Sequence, residues 1–492
     1  MPGGAAATAA CALPRLRAWA AAAHRHRAAA AARAAAAAPP RRELLVLGIE
    51  SSCDDTAAAV VSGCGVVLGD AIVGQADVHA PYGGVHPALA SQAHAAAIDR
   101  VVADALAAAG LAPADLSAVA VTVGPGLSLC LDVGVRKARA LSRAAGLPLV
   151  PVHHMEAHTL VARLAGLAGG GGGAGPPPPS PAFPFLCLLV SGGHNLLVLV
   201  RGVGDYLQLG ATLDDALGEA YDKVARMLGL ELKPHGGAAL EALARSGDAG
   251  RYALPVPMQR HANCDFSFAG LKTGVRLCIE KELPPEGHPG RQQAAADIAA
   301  SFQAVATRHL AQRVRRGIGW ARDALDSGGS GGGGGAAALR QLVVAGGVAS
   351  NQYIRQQLAE VADAAGLDLV VPPPVWCTDN GVMVAWAGIE RYRLGLYQPP
   401  LGPLQLEEGV GQEWVELRPR WPLTGEKAAG STPPTRSSKA ASSMARSLTD
   451  ETRDALGALA AAAAGAGAGA EAAVGDAAEA VRLRPGAAAT AG

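Results

Sequence analysis

The sequence predicts an α/β fold built from two similar lobes, and three observations carry that prediction. Apolar strand-like runs alternate with helical patterns along most of the chain, which argues for layered α/β structure. Two segments share one design: an apolar run, a tight polar turn and a second apolar run. Their turns, Glu50-Ser51-Ser52-Cys53-Asp54-Asp55-Thr56 and Ser191-Gly192-Gly193-His194, lie roughly 140 residues apart. Small residues at such turns let backbone N–H groups converge on an anion, so a duplicated unit clasping one nucleotide is expected.

Taken in order, residues 44–49 form an apolar run and 57–61 a second, the two arms of the first hairpin. Residues 119–123 read as a strand ending in Gly124-Pro125-Gly126. Residues 186–190 and 196–200 flank the second turn. A helix is predicted over 215–228, with apolar residues at 217, 221, 224, 225 and 228. Residues 341–345 form a strand, Gly346-Gly347 a turn, and Ile354, Leu358 and Val361 mark the helix that follows. Asn351 stands at its N-cap position. A last strand is predicted over 367–371.

A chain of 492 residues is too long for one ordinary core and suits two domains with tails. The first 42 residues hold seven arginines and no acidic residue, the composition of an organelle transit peptide. Without those arginines the count is 35 basic against 42 acidic residues, a net of −7, so any nucleic-acid contact must come from a local patch or a partner. Arg136, Lys137, Arg139 and Lys272 are candidates for such a patch. No strongly apolar run is long enough for a membrane span. The eight cysteines form no CxxC pair, which suits a reduced compartment. Gly/Pro/Ser-rich stretches at 166–184 and 327–335 read as surface insertions, and 424–492 as a disordered tail.

Four residues separate His154 from His158, so on a helix they share a face and can share a metal. Met155 stands where a zincin would carry its glutamate. Asp379, after a strand and three prolines and before an apolar helix, is the third ligand candidate; capping that helix is its other reading. A His/His/Asp set leaves coordination positions open for substrate oxygens. Asn351 suits either a ribose contact or a helix cap. Asp222 suits either a solvated helix face or a ribose contact.

These strings together resemble the TsaD-type tRNA threonylcarbamoyladenosine transferases, once called O-sialoglycoprotein endopeptidases. The resemblance rests on Gly48-Ile49-Glu50-Ser51-Ser52-Cys53-Asp54-Asp55-Thr56, Tyr82-Gly83-Gly84-Val85, Gly124-Pro125-Gly126-Leu127, residues 152–158 and Leu189-Val190-Ser191-Gly192-Gly193-His194. It continues through residues 213–223 and 265–273, Gly346-Gly347-Val348 and Cys377-Thr378-Asp379-Asn380-Gly381, and covers roughly 44–423 in family order. The ending Leu417-Arg418-Pro419-Arg420-Trp421-Pro422-Leu423 resembles the organellar branch.

The resemblance implies an actin/sugar-kinase/heat-shock-ATPase fold. Its N-terminal lobe would span 43–155, completed by roughly 381–423, and its C-terminal lobe 156–380. It implies one divalent metal ion per subunit, of the iron or zinc class, on His154, His158 and Asp379. Leu189, Val190, Ser191, Gly192, Gly193, Asp222, Gly237, Glu241 and Asn351 would hold threonylcarbamoyl-AMP supplied by a separate synthase. Asp54 and Asp55 would stand beside the reacting carbonyl. The second substrate would be tRNA, the assembly a homodimer, and the location a mitochondrion or, alternatively, a plastid. Two positions depart from the family pattern: Ala238 stands where proline is usual, and Asp55 where the acid is one methylene longer. The rival readings are a nucleotide hydrolase or kinase of the same fold, a metalloendopeptidase, and a non-catalytic binding module.

Overall fold

The computed structural model describes residues 43–82, 84–167, 180–231, 235–328, 338–400, 415–428 and 430. The leader read over 1–42, most of both insertions and most of the predicted tail lie outside the described residues.

The first five-stranded sheet comprises β1 (Leu45–Glu50), β2 (Asp55–Ser62), β3 (Val67–Gly74), β4 (Ala118–Gly124) and β5 (Leu149–His153), in the order β3-β2-β1-β4-β5. The second comprises β6 (Phe185–Val190), β7 (Asn195–Gly202), β8 (Asp205–Ala211), β9 (Gln341–Ala345) and β10 (Asp368–Val370), in the order β10-β9-β6-β7-β8. Read from its other edge, the second sheet repeats the first. Each has a central strand antiparallel to the hairpin partner on one side and parallel to the crossover strand on the other. The duplication expected from the two turns is therefore present in the topology, and the two-lobed architecture is that of the actin/sugar-kinase/heat-shock-ATPase fold.

Helices occupy corresponding places. In the first lobe α1 (Pro87–Ala109) follows β3, α2 (Ser128–Ala145) follows β4 and α3 (His154–Leu167) follows β5. In the second, α4 (Leu217–Met227), α5 (Gly236–Ala244), α6 (Ala269–Glu282) and α7 (Arg291–Gly328) lie between β8 and β9; α8 (Gln352–Ala364) follows β9 and α9 (Gly381–Arg393) follows β10. Both β1 and β6 are buried along their whole length, because helices cover both faces of each sheet. Ile98, Val101 and Val135 pack on one face of the first sheet with Leu47 and Ile49. Leu160, Val161, Val382 and Trp386 pack on the other with Val46 and Ala120.

Helix α3 lies between the sheets. Leu160 and Val161 face the first sheet and α9, while Met155 and Ala162 pack with Cys187, Leu189 and Val343 of the second. Helix α9 lies so close to β1 that a Cβ on Gly48 would meet the Ala385 nitrogen at 2.2 Å, and one on Gly381 would meet the Ala58 carbonyl carbon at 2.4 Å. These glycines bring the start of α9 over the end of β1, where the site is built.

Three boundaries differ from expectation. Helix α4 starts at Leu217 rather than 215, because the Asp215 carboxylate is drawn into ion pairs with Lys272 and Lys223. Residues 426–428 are not part of a disordered tail: Glu426 pairs with Arg201, and the Ala428 N–H donates to the Gln208 carbonyl at 2.9 Å along β8. The insertion read at 166–184 is shorter, since α3 runs to Leu167 and the Ser180 hydroxyl donates to the Arg163 carbonyl. The seven cysteines among the described residues are all free.

Candidate metal centre and ligand cleft

His154 opens α3 and His158 lies one turn on, so the two imidazoles share a face with ring centroids 4.7 Å apart. Asp379 enters from the loop before α9. Its Oδ1 lies 2.9 Å from His158 Nε2 and 3.6 Å from His154 Nε2. The capping role read as an alternative for Asp379 belongs to Asn380, whose Oδ1 accepts from the Met383 N–H at 2.8 Å. Asp379 is thereby free to face the histidines.

A fourth residue orients the set. Glu50, fully buried at the end of β1, accepts from the Thr122 hydroxyl at 2.5 Å and from the Ser52 N–H at 2.7 Å, and its Oε2 lies 3.3 Å from His154 Nδ1. Burial pushes His154 toward neutrality, but the Asp379 and Glu50 carboxylates outweigh it and raise its pKa to about 9. Burial acts against the ionised form of Asp379 too, yet the two histidines hold it below the usual carboxylate range.

The donor set fits a metal ion. The three candidate ligand atoms lie within 4.8 Å of one another. Tetrahedral coordination at about 2.0–2.2 Å places ligand atoms roughly 3.4 Å apart, between the two distances found here. Glu50 against Nδ1 fixes the His154 tautomer that turns the Nε2 lone pair toward the centre. His158, Asp379 and His154 could therefore hold a divalent cation with coordination positions left over.

Beside this centre is a cleft of about 380 Å³ lined by Asp54, Gly192, Gly218, Tyr221, Asp222, His235, Gly237, Glu241, Gly347, Asn351 and Thr378, among others. That volume suits a small organic ligand. The Cys377-Thr378-Asp379 loop joins the two features, putting Thr378 in the cleft wall and Asp379 among the histidines. Two close backbone approaches shape the wall: a Cβ on Gly218 would meet Gly192 Cα at 2.8 Å, and Gly346, at φ 94°, passes the Val190 carbonyl.

The structure gathers Asp54, Gly192, Asp222, Gly237, Glu241 and Asn351 around the cleft. It does not bring Leu189, Val190, Ser191, Gly193 or Asp55 to its wall. Leu189 and Val190 bury their side chains in the core of β6, and the Ser191 N–H and carbonyl are engaged by His194 and Gly218. Asn351 serves as a cap: its Oδ1 accepts from the Ile354 N–H at 3.0 Å and its Nδ2 donates to Gln303 at 3.1 Å. Glu241 accepts from the Gln352 N–H at 2.9 Å. Burial raises the pKa of Asp222, partly countered by His235, Arg226 and the N–H groups of Gly237 and Gly236. Asp55 is pushed up to about 7, by burial first and then by Asp379, Asp54 and Glu50.

In the sequence Glu50 shows only as an ionisable residue closing an otherwise apolar strand. Sequence reasoning missed His94. It is fully buried on α1 and ties down the first turn, with Nδ1 2.7 Å from the Thr56 hydroxyl and Nε2 3.0 Å from the Cys53 carbonyl oxygen. Of the basic residues proposed as a patch, Arg136 pairs with Asp132, Lys137 with Asp99 and Lys272 with Asp215.

The profile of the TsaD family, described as tRNA N6-adenosine threonylcarbamoyltransferase, matches residues 66–386. A probable mitochondrial tRNA N6-adenosine threonylcarbamoyltransferase of Arabidopsis thaliana is 51% identical over 393 residues, covering 79% of this chain and 76% of the relative. The mitochondrial enzyme of that name from Rattus norvegicus is 46% identical, covering 77% and 91%. The enzyme of that name from Paramagnetospirillum magneticum is 44% identical, covering 78% and 99%. Among solved structures, HypF of T. kodakarensis aligns with a TM-score of 0.44 at 16% identity, over 72% of this chain and 48% of that one.

Proposed function

The chain belongs to the TsaD family of tRNA N6-adenosine threonylcarbamoyltransferases, and from that premise we propose how its residues divide the work. The activity is an acyl transfer: a threonylcarbamoyl group passes to the N6 of an adenosine in tRNA. The single observation that supports our assignment is the shared loop, which puts Thr378 in the ligand cleft and Asp379 in the metal set.

The donor in this reading is threonylcarbamoyl-AMP from a separate synthase, a mixed anhydride with AMP as leaving group. The exocyclic amine of adenosine is a poor nucleophile, because its lone pair is delocalised into the ring. The site must therefore orient the two reactants and stabilise charge as it develops. His154, His158 and Asp379 would hold a divalent ion of the iron or zinc class, which when bound supplies a Lewis acid toward substrate oxygens. Glu50 keeps His154 in the binding tautomer. Gly192 and Gly347 admit the phosphate close to the backbone, and Asp222 and Glu241 accept hydrogen bonds from the ribose hydroxyls. Asp54, on the same wall, takes the amine proton as the new C–N bond forms and the C–O bond to AMP breaks. Asp55 keeps the turn's second acid close by; burial and the neighbouring carboxylates favour its protonated form.

The chain divides, on this reading, into a leader over 1–42, lobes over 43–155 with 381–423 and over 156–380, and a tail. Relatives named mitochondrial support an organellar location, which we take to be the mitochondrion with a plastid as alternative. No helix among the described residues is long and apolar enough to cross a membrane. A homodimer is the proposed assembly. Incubation of the full chain with unmodified tRNA, threonine, bicarbonate, ATP and an adenylate-forming synthase should yield threonylcarbamoyladenosine. Unmodified tRNA at the end of that incubation would contradict the assignment.

A further inference from the structure

The cleft poses an electrostatic problem. Three carboxylates line it, on Asp54, Asp222 and Glu241, and among the described residues its wall contains no lysine or arginine. Carboxylates accept hydrogen bonds from a sugar hydroxyl but offer no donor in return. A ribose hydroxyl donates one hydrogen bond and can accept two, so carboxylates alone leave its lone pairs without a donor.

Among the described residues of that wall, His235 is the one side chain with a ring N–H to donate. It stands at the N-cap of α5, and its Nδ1 accepts from the Ala238 N–H at 3.2 Å. That bond requires an N–H at 238, which alanine supplies and proline would not. It also decides the tautomer. With Nδ1 the acceptor, the ring proton sits on Nε2, so Nε2–H is a donor. Gly237 lets the ring lie close, since a Cβ there would be 3.3 Å from Nδ1. The ring and the Asp222 carboxylate line the same cleft.

We propose that His235 is a substrate-binding residue whose Nε2–H donates to a ribose hydroxyl of the bound nucleotide, the hydroxyl that in turn donates to Asp222. This rests on the cleft being the nucleotide site. The pair reads the sugar as a unit: the carboxylate takes the hydroxyl proton and the imidazole fills a lone pair. Ala238 and His235 then act together, because the N–H of one holds the ring of the other in place.

Capping and binding separate by substitution. Asparagine is a good N-cap and keeps an acceptor for the Ala238 N–H, but lacks a donor at the Nε2 position. Binding of AMP, 2′-deoxy-AMP and 3′-deoxy-AMP to the full chain should be measured by calorimetry for the parent and for His235→Asn. The parent should prefer AMP over one of the deoxy forms. His235→Asn should melt at the parent's temperature, bind AMP about three- to tenfold more weakly, and lose most of that preference. His235→Ala should show the same binding loss with a lower melting temperature. AMP binding equal to the parent's in His235→Asn would show His235 to be a cap only and overturn the proposal. Weakened binding with the full deoxy discrimination retained would overturn it as well, because the contact would then lie elsewhere on the nucleotide. A parent that binds no AMP would defeat the nucleotide-site reading itself.

Discussion

Glu50 Oε2 and His154 Nδ1 lie 3.3 Å apart across 104 residues of sequence, and that contact, with the Ser52 hydroxyl 3.2 Å from the same nitrogen, leaves Nε2 to face Asp379. Second partners of this kind tune metal sites by roughly 10- to 100-fold in affinity. Glu50→Gln keeps the size of the side chain and removes its charge. It should weaken metal binding within about that range while leaving the melting temperature of the metal-free chain within a few degrees. Competition against a chelator of known affinity measures it, and unchanged metal affinity would remove Glu50 from the account.

Glu156 sits between the two histidines in sequence and faces away from them. It is almost fully buried, accepts from the Tyr206 hydroxyl at 2.7 Å and the Gly204 N–H at 3.0 Å, and pairs with Arg391 at 2.8 Å. The residue thus ties α3 to the β7–β8 turn and to α9. Glu156→Ala takes their shared acceptor from the partly buried Arg391 and the buried Tyr206 hydroxyl, which should cost about 2–3 kcal/mol. Denaturant unfolding should show that loss while the surviving folded protein keeps its metal. Loss of metal without loss of stability would instead make Glu156 part of the site.

His309 is fully buried against Phe266 and Phe268, and its Nε2 accepts from the Ser267 N–H at 3.3 Å. Burial, with Arg313 beside it, lowers its pKa to about 3. A histidine depressed in the folded state binds fewer protons there than in the unfolded chain. Its contribution is therefore complete above about pH 6.5 and is lost as pH falls from there toward 3. Between pH 7 and pH 5 the loss from this one group should be about 2 kcal/mol. His309→Gln should flatten the stability profile over that interval by a comparable amount. An unchanged acid slope in the variant would show that the group does not control it.

Much of the fold and part of the site could be read from the residues alone, and the divisions have physical causes. Strands with unbroken apolar runs, such as β1 and β6, announced themselves because helices bury both their faces. The edge strand β3, Val-Leu-Gly-Asp-Ala-Ile-Val-Gly, is half exposed and carries no such signal. Helix spacing paired His154 with His158, since that contact is local. Asp379 had two readings because it precedes a helix that needs a cap; Asn380, one residue on, takes that role and leaves Asp379 to the histidines. Glu50 and His94 act through contacts 104 and 41 residues away, and such distances leave no local pattern to find. The strand-like pairing of residues 426–428 with β8 was hidden for a related reason, because Ala/Gly/Ser-rich composition says nothing about which edge a segment meets.

The account stands or falls on His154, His158 and Asp379 acting as one metal-dependent unit for transfer. The most direct measurement is bound metal by elemental analysis together with threonylcarbamoyladenosine formation, on the same preparations of the parent and of His158→Ala. The account predicts that the parent carries one metal ion per chain and modifies tRNA. It predicts that His158→Ala, folded by circular dichroism, carries almost none and forms no product above background. A folded His158→Ala that keeps stoichiometric metal, or transfers at the parent's rate without it, would contradict the assignment.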